Sequence, residues 1–439
     1  MIHDERVVIL NKPSENGKYV LLWIQQAQRT RYNHALEFAV NQANALKLPL
    51  FACFVITDGF PNANLRHYTF MLEGLENLKL NLKQRGINLI FRYGNPPEEV
   101  VSLGKNAEMI VMDRGYLRVQ KQWRREIGRT APCTVVQVES DAVVPVETAS
   151  TKEEFAAYTI RPKINRNLDK FLVPLEQREL KTKDFMPDLE SCVPDITKLN
   201  IDRSVSPVKS FTGGEDEAVK LLKIFIDEKL DDYDKLRNDP TKDAQSGLSP
   251  YIHFGNISPL ETALAVKDHP ASASFLEELI VRRELALNMV NFNAEYDGLK
   301  HLHPWAANTL NEHVKDVRTY IYTYEELENA ETHDEAWNAA QTEMRSTGKM
   351  HGYMRMYWGK KIIEWTETPE EAYRTAISLN DKYSLDGRDP NGFAGVLWCF
   401  GKHDRPWQER AIFGKVRYMN FAGLKRKFDV ESYISKFKA

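Results

Sequence analysis

Trp337, Trp358 and Trp365, three of the eight tryptophans in the chain, crowd into the stretch 337–365 around a Ser-Thr-Gly break, with Arg355, Lys360 and Lys361 between them. Met354, Trp358 and Trp365 recur at i, i+4 and i+11, which places them along one helical face, while Trp337 belongs to the preceding helix. Indoles in such a row either fill a core or hand electrons from one to the next, and spacing alone does not choose. A second stretch, RNDPTKDAQSGLSPYIHFGNIS at 237–258, offers a different chemistry. Its run Gln245, Ser246, Gly247, Leu248, Ser249 precedes a helix, so backbone N–H groups, two hydroxyls and a positive helix end could cradle a phosphate. The third is the C-terminal tail. From Lys402 onward ten Lys/Arg face four Asp/Glu, interleaved with Trp407, Phe413, Tyr418, Phe421, Phe428, Tyr433 and Phe437. Basic residues mixed with aromatics suit phosphate contact and base stacking, or simply a solvated amphipathic terminus.

These residues need a scaffold, and 439 residues with 42% hydrophobic and 28% charged content suit two folded domains. Net charge is only -3, which argues against a general nucleic-acid coating protein. The apolar runs are strand-sized, short of a membrane span, and the N-terminus has no signal-peptide profile, so a cytoplasmic protein is expected, nucleoid-associated if prokaryotic. Cys53, Cys133, Cys192 and Cys399 are far apart and read as buried small hydrophobes, not as a disulfide framework or a zinc site. No metal is expected.

Residues 1–175 alternate short apolar runs (YVLLWIQ, PLFACFVIT, INLIFRYG, EMIVMDRG, CTVVQVES) with helix-length amphipathic segments. That alternation predicts an α/β domain with a Rossmann-like, doubly wound parallel sheet. No G-x-G-x-x-G follows the first strand, so an ordinary dinucleotide site there is not expected. Residues 176–215 dissolve into Pro, Ser, Gly and scattered charge and read as an interdomain linker. Residues 216–439 show three- and four-residue apolar spacing in nearly every segment and read as an all-helical domain.

The stretch LSPYIHFGNIS resembles the flavin-phosphate segment of the photolyase and cryptochrome superfamily. The blocks LRNDPTK, EELIVRREL, STGKMHGYMRMYWGKKIIEW, LNDKYSLDGRDPNGFAG and HDRPW are similar to those of class II cyclobutane pyrimidine dimer photolyases, and the resemblance covers nearly the whole chain. It implies a reduced, U-shaped FAD in the helical domain and light-driven repair of a dimer flipped out of DNA. It further implies that Tyr233 and the Gln245–Ser249 run hold the phosphates and ribityl chain, that Arg355 and Asp386 pair beside the flavin ring, that Asn380 faces flavin N5, and that Glu284 and Arg388 join the cofactor shell. Glu278 would bond the dimer bases and Trp398 would pack on them. Arg282 stands where certain relatives carry Trp, so a guanidinium plane would stack there. Arg237, Arg405, Lys415 and Arg417 would contact phosphates or fill the space left by flipping. Trp358 would be the flavin-proximal member of a relay, with Trp337 and Trp365 further out. A deazaflavin, a folate or no antenna chromophore fits the α/β domain. The expected partner is UV-damaged, mainly double-stranded DNA, bound by a monomer without a membrane. Rival readings are a cryptochrome-like photosensor, a (6-4) photoproduct enzyme, for which no pocket His pair is evident, and a flavin-free helical nucleic-acid-binding protein.

Overall fold

The structure is a computed structural model that describes residues 2–11, 16–182 and 189–438. Five of its six strands are the expected ones: β2 (Tyr19–Trp23), β3 (Leu50–Ile56), β4 (Asn88–Tyr93), β5 (Ala107–Asp113) and β6 (Thr134–Val138). The sixth, β1 (Val7–Ile9), is too short to show a period and pairs antiparallel with β6. The order is β1-β6-β5-β2-β3-β4, with every other pairing parallel. Helices cover both faces, which is why β2 and β3 are buried along their whole length and read as unbroken apolar runs. Val20 and Leu22 join one core with Leu36, Val40 and Leu75; Tyr19, Leu21 and Trp23 join the other with Val100, Leu103 and Ile127.

The chain runs outward from β2 through β3 to β4, then returns to β5 on the other side of β2. This reversal opens a crevice at the carboxyl ends of β2 and β5, where Asp113 accepts the backbone N–H groups of Gln25, Gln26 and Ala27.

Two boundaries differ from the sequence expectation. The helix Ala157–Phe171, which falls within the residues expected for the α/β domain, shares one apolar core through Ile160, Ile164 and Phe171 with Leu222 and Phe225 of the helical half. It therefore belongs to the helical core. The linker does not hang free where it is described: Cys192 N–H donates to Phe91 O at 3.0 Å and Phe91 N–H to Ser191 Oγ at 3.0 Å. These contacts cover the exposed edge of β4. Cys192 is accordingly only half-buried, whereas Cys53, Cys133 and Cys399 are buried as expected. Residues 183–188 of the linker lie outside the described residues.

Past residue 216 the described chain is helical. The segments that matter are Tyr233–Leu236, Ser249–His253, the π-helical stretch Glu277–Arg282 with Arg283–Phe292 after it, Glu335–Thr347, Gly352–Trp365, Pro369–Tyr383 and Pro390–Cys399. Buried charge pins the two halves together: Asp141 of the sheet half pairs with Arg29 at 3.3 Å and with Arg283 of the helical half at 3.1 Å. No helix among the described residues is long and apolar enough to cross a membrane.

Candidate active site

Four distant stretches of the helical half meet around one polar cavity of about 310 Å³. Tyr233 enters from the first, Gln245, Ser246 and Ser249 from the second, Glu278 from the third, and Arg355 and Asp386 from the fourth and its neighbour. Local chemistry explains the meeting. Gly348 ends the helix Glu335–Thr347 at φ +77, and its carbonyl accepts the N–H of Leu385 at 2.8 Å. A Cβ at Gly348 would stand 3.1 Å from Leu385, so glycine permits both the left-handed turn and the close approach. That bond sets Lys349 beside Asp386. His351 then starts the next helix, its Nδ1 accepting the Tyr353 N–H at 3.2 Å. Burial lowers His351 to about 4, so the ring stays neutral and keeps that acceptor.

At the Asp386 corner of the cavity two cations meet one carboxylate. Arg355 donates to Asp386 at 3.0 Å, and Lys349 lies 3.9 Å from the same carboxylate while donating to Ser249 Oγ. Burial pushes the Asp386 carboxyl up, but Arg355 and Lys349 outweigh it and hold the group below the ordinary carboxylate range. Burial lowers Lys349, with Asp386 acting against the shift. Arg355 Nε is buried without a hydrogen-bond partner among the described residues. Two cations and two serine hydroxyls facing one carboxylate therefore leave donors to spare, a set that fits the diphosphate and polyol of a dinucleotide. The helix Ser249–His253 spans only five residues, so its dipole adds less than the sequence suggested, and the side-chain cations supply most of the attraction.

Not every expected residue faces this space. Leu248 is buried behind the cradle, and Gly247, at φ +70, supplies its turn. Asn380 sits in the last turn of its helix, which Ser384 caps. Its amide donates to Asp381 at 3.1 Å and backs onto Gly392, which lines the cavity; a Cβ at Gly392 would lie 3.3 Å from that amide nitrogen. Glu284 turns away altogether. Its carboxylate accepts the N–H groups of Val143 at 2.6 Å and Val144 at 3.2 Å, and burial pushes it up to about 8. Arg388 lies outside the cavity as well, donating to His67 at 2.6 Å and to Asp381 O at 2.9 Å.

Glu278 stands at the cavity wall, paired with Arg237 at 2.8 Å. Burial lowers Arg237, but the hydrogen bond it donates to Glu278 and the charge of that carboxylate outweigh it and raise the guanidinium above its ordinary value. Arg282 does not share this wall. The π-helical spacing places it under Glu277, five residues back, to which it donates at 3.2 Å. Sequence reasoning missed Lys349, Arg283 and the pair His253–Asp389 at 3.0 Å; all four lie inside the quoted blocks, but which residues of a block line the cavity is set only by the fold.

Trp358 follows Arg355 by one turn. Its ring lies 6.3 Å from that of Trp337, nearly parallel at 8°, and Trp337 lies 5.6 Å edge-on from Trp365. The row is thus Trp358, Trp337, Trp365, all three buried. Trp358 Nε1 donates to Gln341 at 2.9 Å and Trp337 Nε1 to Trp358 O at 3.0 Å, so both N–H groups face neutral acceptors.

The helix Pro390–Cys399 leads from the cavity, at Asn391 and Gly392, to a second aromatic row. Trp398 lies between Lys360 (5.1 Å) and Arg417 (5.5 Å), and the exposed Trp407 between Arg417 (4.9 Å) and Arg405 (5.4 Å). Trp407 N–H donates to Lys415 O at 2.8 Å, closing the loop that carries these cations. Lys360 is fully buried, which lowers it to about 8, so it belongs to the packing beneath Trp398.

The sheet order, the helical half and the cavity between its helices define the photolyase and cryptochrome type of architecture, and the chain aligns over 97% of its length with a class III photolyase from Agrobacterium tumefaciens, covering 87% of that chain at a TM-score of 0.77 and 19% identity. The family model described as DNA photolyase matches residues 20–181. The chain is 50% identical to a deoxyribodipyrimidine photo-lyase from Methanothermobacter thermautotrophicus, over all of this chain and 99% of that one. It is 41% identical to the enzyme of that name from Potorous tridactylus, over 96% of this chain and 82% of the other. The chain belongs to the deoxyribodipyrimidine photo-lyase family. Its higher identity to the archaeal and marsupial proteins than to the Escherichia coli enzyme, at 23%, agrees with the class II resemblance.

Proposed function

We propose that the protein repairs cyclobutane pyrimidine dimers in DNA by a light-driven electron, with FAD in the polar cavity. The observation that carries this reading is the convergence at one cavity of a cation-rich cradle, a carboxylate at the wall and an indole row leading away. When bound, the reduced flavin supplies the photoexcited electron and takes it back after the dimer splits.

The chain's own residues do the rest. Lys349, Arg355, Ser246 and Ser249 hold the diphosphate and ribityl regions, with Gln245 and Tyr233 alongside. Asp386 keeps Arg355 aimed into the cavity, and Asn380 approaches from behind Gly392. Glu278, paired with Arg237, hydrogen-bonds the bases of the flipped dimer and is aimed at the charge that develops there. Arg237 then places positive charge where negative charge develops on the dimer. Trp398 packs against the flipped bases, while Arg405, Lys415 and Arg417 contact the phosphates. The relay through Trp358, Trp337 and Trp365 returns the cofactor to its reduced state.

An antenna chromophore, a deazaflavin or a folate, would have room in a second cavity of about 100 Å³ at the carboxyl ends of the strands, between Trp23, Phe54, Tyr68 and Trp123. Flat rings match its aromatic walls, with Gln26, Gln120 and Arg388 as polar partners at one side. The direct test is an oligonucleotide with one cyclobutane thymine dimer, mixed with reduced protein in blue light and in the dark. Repair in light alone is expected. A yellow, photoreducible protein without repair would favour a photosensor.

A further inference from the structure

Four Phe, Tyr or Trp side chains are exposed among the described residues, and two of them, Phe155 (38%) and Tyr158 (65%), are neighbours with rings 6.1 Å apart. Neither lines the cavity. Phe155 is held from behind: His303 stacks on its ring at 3.9 Å and 22°, and His403 Nδ1 donates to its carbonyl at 2.8 Å. Burial lowers His403 to about 4, so the ring is neutral and its one proton stays at Nδ1, where that bond needs it. A second latch lies two residues back, where Glu153 pairs with Lys402 at 2.6 Å. Lys402 and His403 lead directly into Arg405 and Trp407, so the Phe155 loop is clipped to the loop that carries the second aromatic row. An exposed ring that is already fixed binds a flat partner with little further loss of freedom.

Tyr158 joins the same loop to the cavity. It lies in the first turn of the helix Ala157–Phe171, one turn before Arg161. Arg161 donates to Glu277 at 2.7 Å and 3.0 Å, and Arg282 donates to the same carboxylate at 3.2 Å. One carboxylate between two part-exposed guanidiniums leaves positive charge over, and Glu277 is the residue before Glu278 of the cavity wall. From Glu278 outward the rim therefore runs through the cations Arg282 and Arg161 to the rings of Tyr158 and Phe155, and then to the Arg405 loop.

We infer that Phe155 and Tyr158 form a stacking platform for the base beside the flipped dimer in the damaged strand, with Arg161 and Arg282 on the phosphates between; this rests on the function proposed above. A strand that sends two bases into the cavity must cross its rim on the way in and on the way out. Flipping also takes one stacking neighbour from each flanking base, which leaves one face of that base bare. Stacking on a bare face needs an exposed aromatic ring with a cation close by, and it tolerates any base because every base has such a face. This sector of the rim supplies both. A base of the opposite strand is the poorer match, because the rim is continuous with the wall that receives the damaged strand.

Equilibrium binding of dimer-containing DNA, read by fluorescence anisotropy in the dark, tests this in flavin-loaded wild type, Tyr158→Ala, Phe155→Ala and Tyr158→Trp. Tyr158→Ala is expected to bind about tenfold more weakly, within the worth of one stacked base, and by the same factor on single-stranded and double-stranded dimer DNA. Phe155→Ala should lose a comparable factor, whereas Tyr158→Trp, which keeps a flat ring at the rim, should bind as wild type does. An abasic site next to the dimer, placed before it or after it in separate oligonucleotides, should on one of the two sides weaken wild type as much as Tyr158→Ala does and add nothing in that variant. Wild-type affinity in both alanine variants, a loss confined to duplex, or a loss that adds to that of either abasic oligonucleotide would overturn the platform and leave the function proposed above standing. Wild type that does not prefer dimer-containing over undamaged DNA would overturn both.

Discussion

The molecule carries two rows of tryptophan that begin near the same cavity and differ in what surrounds them. Trp358 and Trp337 are buried, stacked on one another and bonded to neutral acceptors. Trp398 and Trp407 alternate with Lys360, Arg417 and Arg405 and open to solvent at Trp407. Cations over a ring disfavour removal of an electron from it but attract phosphate and stiffen a stacking platform. The same side chain is thus suited to electron transfer in one row and to nucleic acid in the other. Lys361 over Trp365 brings a cation to the first row only at its outer end.

The largest effect that could break this division is at Glu278. Glu278→Ala should lower repair by pre-reduced protein by about 10²–10³-fold, the usual cost of removing a group aimed at developing charge, with light-driven cofactor reduction unchanged. Single-turnover flash repair checks it. Trp398→Ala should weaken binding of dimer-containing DNA by about 1–3 kcal/mol, the worth of one stacked base, measured by titration against damaged and undamaged duplex. Arg405→Ala should weaken both duplexes alike and reduce the salt slope of binding by about one. The smallest change concerns Glu284. A buried carboxyl raised to about 8 from 4.5 binds its proton more tightly folded than unfolded, so it lowers stability progressively as pH rises between those values. Glu284→Gln should flatten that part of the stability curve, seen by thermal unfolding against pH, without altering flavin affinity.

How far the sequence reveals this arrangement depends on whether the signal is local. Strands β2 to β6 are legible because their apolar runs are continuous, and the helices from Glu335 to Tyr383 because theirs are periodic. β1 is too short to carry a period, and Pro162 masks the helix Ala157–Phe171. In the site, the run Gln245–Ser249 and the Arg355–Asp386 pair lie in recognisable blocks. Lys349 is one lysine in a turn, and only the bond from Leu385 to Gly348 brings it to Asp386. The resemblance assigns Arg282 and Glu284 to the site with Glu278, but a π-helical turn changes which residues share a face.

The division between the rows is tested most directly by one variant measured twice. In Trp337→Phe, light-driven reduction of the oxidised cofactor and dimer repair by chemically pre-reduced protein are followed side by side. Reduction should be lost while repair proceeds as in wild type. Repair lost together with reduction, or reduction retained, would contradict the assignment of the buried row to electron transfer alone.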